Sequence, residues 1–264
     1  TGYPFNDELL PMQWHLINRG NLFGEKSIVD ADVQCEEAWK SSTGDKSIIV
    51  AVLDEGVMVE HPDLKNNMCY VDPATDGLLA YWRFNEKADG YNFVFDTGVI
   101  SWDDVSDTGH GTHVAGVIAA QNNNGIGISS IAGGNADIPG VKIMSCQIFS
   151  GNDATSGAIT TSAEAIKYAA DNGAVIIQCS FGSKAGTYTS DSAYERGSGV
   201  QYNAIKYFIE SQNCDAVDGG VVIFAAGNDA TAMSGYPGAY HDYISVTSFS
   251  PDYLPAYYTN YGPG

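Results

Sequence analysis

The sequence predicts an α/β fold, a doubly wound and mainly parallel central sheet with helices on both faces, in one domain spanning residues 1–264. Short β-branched runs that are apolar on both faces predict buried parallel strands. Ala-rich helical stretches lie between those runs, and strict alternation of the two element types is the pattern of a parallel sheet wound with helices. A chain of 264 residues with 44% hydrophobic side chains can bury a core of that size.

From the N-terminus, the first strand is residues 47–53 (SIIVAVL), stopped by Asp54-Glu55-Gly56. Residues 66–107 are long and aromatic-rich enough to form an elaborated surface excursion. A small-residue helix is expected at 112–120, followed by Gly- and Asn-rich loops at 122–127 and 133–135. A strand at 141–148 leads to a helix at 162–172, whose Ala163, Ala165, Ile166 and Ala169 suit close packing on a sheet. A strand at 175–179, a loop at 182–199 and a strand at 220–226 (GVVIFAA) complete the series. None of the loops has the length or bias of an interdomain linker.

The charge excludes some functions. Acidic residues number 32 against 12 basic ones, the net charge is −20, and Lys and Arg form no stripe, which excludes a nucleic-acid surface. Such acidity either keeps a protein soluble or supplies ligands to a hard cation. No apolar run is long enough for a membrane span, and the first thirty residues lack the zones of a signal peptide, so a leader removed before Thr1 is the expectation. The five cysteines have no CxxC spacing, and Cys146 and Cys179 lie inside apolar runs as small core residues.

Three polar residues stand where open sheets build their sites. Asp54 ends a strand and presents a carboxylate at the carboxyl edge, although acidic residues there also form turns. His110 has a glycine on each side and opens a helix, which places an imidazole at a helix N-terminus. His113 follows at i+3 without the frame of a zinc site and reads as structural. Asn228 ends the last strand, where its amide can donate a hydrogen bond or serve as a turn residue.

Taken in this order, the chain resembles the subtilisin-like serine proteases. The resemblance rests on V-A-V-L-D-E-G (50–56), H-P-D-L (61–64), G-H-G-T-H-V-A-G (109–116), S-F-G (180–182) and A-A-G-N (225–228), with weaker similarity from Asn6-Asp7 and Gln13-Trp14 through Tyr236-Pro-Gly238 and 243–246 to Asn260-Tyr-Gly262. It implies a secreted endopeptidase, extracellular or periplasmic, in which Asp54 orients His110, His110 is the general base and Asn228 donates to the oxyanion. It further implies that an extended polypeptide adds as a strand between Ser156-Gly157 and Ser180-Phe181-Gly182. Phe181 could equally be core. Structural Ca²⁺ is implied in the loop 121–128, held by Asp7, Asp63, the Asn124 side chain and the carbonyls of Gln121, Ile126 and Ile128, an all-oxygen set.

Two departures from that pattern follow. The family's nucleophile sits in a Gly-Thr-Ser motif that these residues lack, so the Ser is expected beyond residue 264, in continuing sequence or on a separate C-terminal fragment, and the 264 residues alone are expected to be inactive. An inactive module that binds extended peptides is the competing reading. Glu55 stands where the family commonly has Thr or Ser, and is expected to point to solvent.

Overall fold

The computed structural model describes residues 2–69, 90–104, 107–151 and 156–262. Its central sheet is built from β1 (Ile49–Asp54), β2 (Gly90–Asn92), β3 (Lys142–Gln147), β4 (Ile176–Cys179), β5 (Val221–Ala225) and β6 (Ile244–Val246). The strands lie in the order β6-β5-β4-β1-β3-β2 and every neighbouring pair is parallel. Helices α1 (Cys35–Ala38), α2 (His110–Ala119), α3 (Ile159–Asp171), α4 (Asp191–Gly197) and α5 (Gly199–Ser211) complete the fold.

Side chains alternate between the two faces of a strand, and β1 shows the consequence. Ala51 and Leu53 join the core under α3 and α5, with Met144, Cys146, Ile166, Ile177, Phe208 and Phe224. Val50 and Val52 join the opposite core, with Ala115 and Ala119 of α2 and Ile143 of β3. Both faces are covered, so the strands read as unbroken apolar runs. The same period assigns Asp54 to the face that α2 covers. On that face β3 turns polar at its end, where Ser145 accepts from Val57 N and Gln147 accepts from Ser101 N.

The predicted strands at 47–53, 141–148, 175–179 and 220–226 match β1, β3, β4 and β5 within two residues at each end. The helices begin earlier than expected, α2 at His110 and α3 at Ile159. The expectation of a loop at 182–199 is corrected, because α4 lies inside it. Ser190 Oγ caps that helix by accepting from Ala193 N, and Tyr194 is buried among Tyr188, Tyr202, Tyr236 and Tyr240. Tyrosine packing supplies a core there that a search for aliphatic periodicity misses. Of the excursion expected at 66–107, residues 70–89, 105 and 106 lie outside the described residues.

The N-terminal segment is held by its own small core of Leu10, Leu16, Ile17, Cys35 and Trp39. Gln13 ties it to the body of the molecule, donating to Ser129 O and accepting from Ser129 N. All five cysteines are free thiols, and Cys146 and Cys179 are fully buried on the strands flanking β1.

Candidate active site

The chain order reverses around β1, since β3 lies on one side of it and β4 on the other. The carboxyl ends of such strands splay apart and leave a crevice. An open cleft of about 340 Å³ lies there, lined by Asp54 and Glu55 after β1, Phe149, Ser150 and Gly151 after β3, Ser180 and Phe181 after β4, and Asp107, Thr108, His110 and Ser156 from the connecting segments.

Within the cleft, Asp54 Oδ1 lies 2.7 Å from His110 Nδ1. The carboxylate side chain is 4% exposed and the imidazole 47%. Burial pushes the Asp54 carboxyl above its usual range, while the bond to His110 pulls it back. Asp54 Oδ1 also accepts from Glu55 N at 2.8 Å, which fixes the carboxylate plane. Among the described residues His110 Nε2 has no hydrogen-bond partner. An imidazole held at Nδ1 by a buried carboxylate and open at Nε2 can accept a proton from a group entering the cleft.

Glu55 corrects the expectation that it points to solvent. Its carboxylate turns back onto the start of α2, where Oε2 accepts from His110 N at 3.0 Å and from Thr108 N at 3.1 Å. Side-chain direction at a strand end depends on the helix packed beside it, which a local motif does not encode. His113 does not join the cleft lining, and no group of three or more His, Cys, Asp or Glu side chains able to hold a metal ion occurs among the described residues.

Ser156, Ser180 and Phe181, which the resemblance assigns to substrate binding, line the cleft. Phe181 also belongs to an aromatic chain, 5.5 Å from the Phe149 ring and 6.0 Å from that of Phe224, so it is wall and core together. Gly157 and Gly182 are exposed and are not among the lining residues. At Gly157 (φ +68°) a Cβ would lie 2.4 Å from the Phe149 ring, and Gly182 faces the carbonyl of Tyr236.

Asn228 is exposed after β5 and stands outside the cleft lining. The turn that carries it is locked by Asn260, which is fully buried. Asn260 Nδ2 donates to Ala226 O at 2.9 Å, its Oδ1 accepts from Asp229 N at 2.8 Å, and its N donates to Gly227 O at 2.9 Å. Gly227 (φ +106°) is obligatory, because a Cβ would meet Asn260 Nδ2 at 2.5 Å. Asn260 was legible only as part of an Asn-Tyr-Gly motif, with no signal of its clamping role.

Away from the cleft, the loop 121–128 gathers the carboxylates expected there. Asp7 accepts from Asn123 N, Asn124 N and Ser129 Oγ, and Asp63 accepts from Asn124 Nδ2 and Ile128 N. Both carboxylates are buried, at 3% and 4% exposure. Burial raises the Asp63 carboxyl, and the nearby charge of Asp7 adds to that rise. The carbonyls of Gln121, Ile126 and Ile128 accept no backbone hydrogen bond from the described residues. Two buried carboxylates in mutual repulsion beside free carbonyls fit a hard cation, provided Asn124 turns its amide oxygen toward Asp63 in place of the nitrogen.

Comparison with known proteins identifies the family. Residues 45–264 match the model of the Subtilase family. Halolysin of Haloferax mediterranei is 32% identical over 230 residues, covering 87% of this chain and 36% of its own length. A halolysin-like extracellular serine protease of Natrialba magadii is 29% identical over 231 residues, covering 88% of this chain and 35% of its own. The chain thus spans about a third of the length of these curated relatives. Among solved structures, a protease of Pseudoalteromonas arctica superposes with a TM-score of 0.67 at 25% identity, covering 98% of this chain and 70% of that one.

Proposed function

The chain belongs to the subtilase family, and from that premise we propose that it is the greater part of the catalytic domain of a secreted serine endopeptidase. The observation that carries the proposal is the 2.7 Å pair of buried Asp54 and His110 at the mouth of the cleft. Asp54 orients the ring and stabilises the imidazolium. His110 Nε2 takes the proton of the nucleophile and later returns it to the leaving amine. Asn228 donates to the oxyanion of the tetrahedral intermediate, in a turn whose geometry Asn260 maintains.

The cleft hydroxyls have other partners. Ser150 donates to Asp104, Ser156 Oγ accepts from Ser150 N, and Ser180 Oγ accepts from Gln178 Nε2. None of the three is hydrogen-bonded to His110, and in this reading the nucleophile is a Ser in sequence beyond residue 264, continuous or on a separate fragment, and residues 1–264 alone do not turn over substrate. The substrate is a polypeptide that lies extended between the segments at 156–157 and 180–182. Ca²⁺ bound by Asp7, Asp63, Asn124 and the carbonyls of Gln121, Ile126 and Ile128 would neutralise the paired carboxylates and brace the loop after α2. No helix among the described residues is long and apolar enough to cross a membrane, and a relative described as extracellular supports secretion.

The test is hydrolysis of an unstructured polypeptide by the full-length protein, compared with its His110→Ala variant. Cleavage that depends on His110 is the expected result. A folded full-length protein that binds the peptide without cutting it would leave the inactive peptide-binding module in its place.

A further inference from the structure

We infer that Glu55 is a positioning residue of this site: from the loop after β1 its carboxylate caps the first turn of α2 and fixes the backbone that carries His110. This rests on the catalytic reading of the Asp54–His110 pair.

The first N–H groups of a helix lack partners within it, and α2 supplies none of its own. Its N-cap is Gly109, in the left-handed region (φ 72°, ψ 19°), with no side chain to accept and no acidic residue in the first turn. A Cβ on Gly109 would meet nothing within 4 Å, so conformation rather than space selects glycine there. The missing acceptor arrives from 55 residues earlier in the chain, as Glu55 Oε2 on His110 N at 3.0 Å, with Thr108 N on the same oxygen at 3.1 Å and Thr108 Oγ1 at 3.3 Å. A carboxylate at this end of a helix also complements the helix dipole.

Two further contacts press the same surfaces together. A Cβ on Gly111 would stand 2.2 Å from the Glu55 carbonyl oxygen, so that only glycine lets the turn approach so closely, and Thr112 Oγ1 accepts from Met58 N at 2.9 Å. Consecutive carboxylates therefore hold one histidine twice, Asp54 by its ring and Glu55 by its main chain. A carboxylate lining a substrate cleft could instead receive a cationic substrate side chain. The engagement of Oε2 by two backbone N–H groups favours the cap.

The experiment compares Glu55→Ala and Glu55→Gln in the full-length protein. Misplacing a catalytic group by a fraction of an ångström lowers turnover, so Glu55→Ala should reduce kcat about 10- to 100-fold while KM changes less than about twofold. Glu55→Gln keeps an acceptor oxygen and should recover most of that loss. Hydrogen exchange at the amides of His110 and Thr108 should accelerate in the Ala variant and slow again in the Gln variant, a readout independent of activity. Unchanged kcat and unchanged exchange in Glu55→Ala would overturn the inference, as would a loss confined to KM for substrates bearing Lys or Arg. A wild-type protein that does not cleave, or a His110→Ala variant that still does, defeats the catalytic reading instead, and the exchange data then decide the cap alone.

Discussion

Two histidine–carboxylate pairs of nearly equal length occupy different regions of this molecule. His110 Nδ1 lies 2.7 Å from Asp54, and His241 Nδ1 lies 2.6 Å from Asp191. Each stands beside a cleft of similar volume, about 340 Å³ at Asp54 and 330 Å³ at Asp191. What separates them is burial and the second ring nitrogen. Asp54 is 4% exposed and Asp191 33%, and His241 has its Nε2 against Asp242 at 3.2 Å. The bond to Asp191, with the charge of Asp242 behind it, pushes His241 above the usual imidazole range. A ring gripped by carboxylates at both nitrogens holds its proton, whereas one gripped at a single nitrogen can exchange it. Pairing and a cavity do not by themselves make a general base.

The largest expected effect breaks or upholds that contrast directly. In the full-length protein Asp54→Asn or His110→Ala should lower kcat by about 10⁴-fold, while Asp191→Asn or His241→Ala should leave peptide hydrolysis within about twofold of wild type, as is usual for surface changes. Similar losses at both pairs would erase the distinction. Asp54→Asn should not weaken the fold. A carboxyl whose folded pKa is raised contributes stability below its unfolded pKa and loses it as pH rises through the folded value, so at neutral pH burying this charge is a cost that the amide removes. Urea melts at pH 7 provide the check.

Next in size is the turn that carries Asn228, the oxyanion donor of the proposed mechanism. Asn228→Ala should cost about 10²- to 10³-fold in kcat, the ordinary price of one oxyanion donor. Asn260→Ala should reproduce part of that loss through a slackened turn, with KM nearly unchanged. Steady-state kinetics on one peptide substrate separate the two.

A smaller effect concerns the loop at 121–128. If Ca²⁺ sits at 100 times its Kd, chelation removes about 2.7 kcal/mol of stability, which lowers Tm by roughly 5–10 °C in a chain of this size. Unchanged melting would leave the loop as a hydrogen-bonded Asn turn with no ion. The smallest effect belongs to His241. Its raised pKa means that the pair with Asp191 stabilises the fold fully below about pH 6.5, the value of a free imidazole, and less as pH rises through the folded value. Denaturant melts of wild type and His241→Ala should therefore differ at mildly acidic pH and converge at alkaline pH.

Much of this was legible in the chain itself because strand periodicity is local. Val50, Val52 and Asp54 share a face by counting in twos, and the glycines around His110 mark a helix start, so the Asp54–His110 pair was within reach of a motif. Residues whose role is to hold other residues were not. Glu55 turns inward only because α2 needs an acceptor, and Asn260 matters only because the turn at 226–229 passes it, facts created by packing. Helix α4 was hidden for a related reason: its anchor, Tyr194, is buried among rings drawn from both sides of a long sequence interval.

The reversal of chain order around β1 has a temporal side. The residues that face the cleft are brought together only by pairings that span the chain, with Asp54 and His110 separated by 56 positions and β4 joining β1 across more than a hundred. Such long closures come late in folding. Under the protease reading, a growing polypeptide would have no working cleft until those pairings close, so that the topology would act as a timer on any activity.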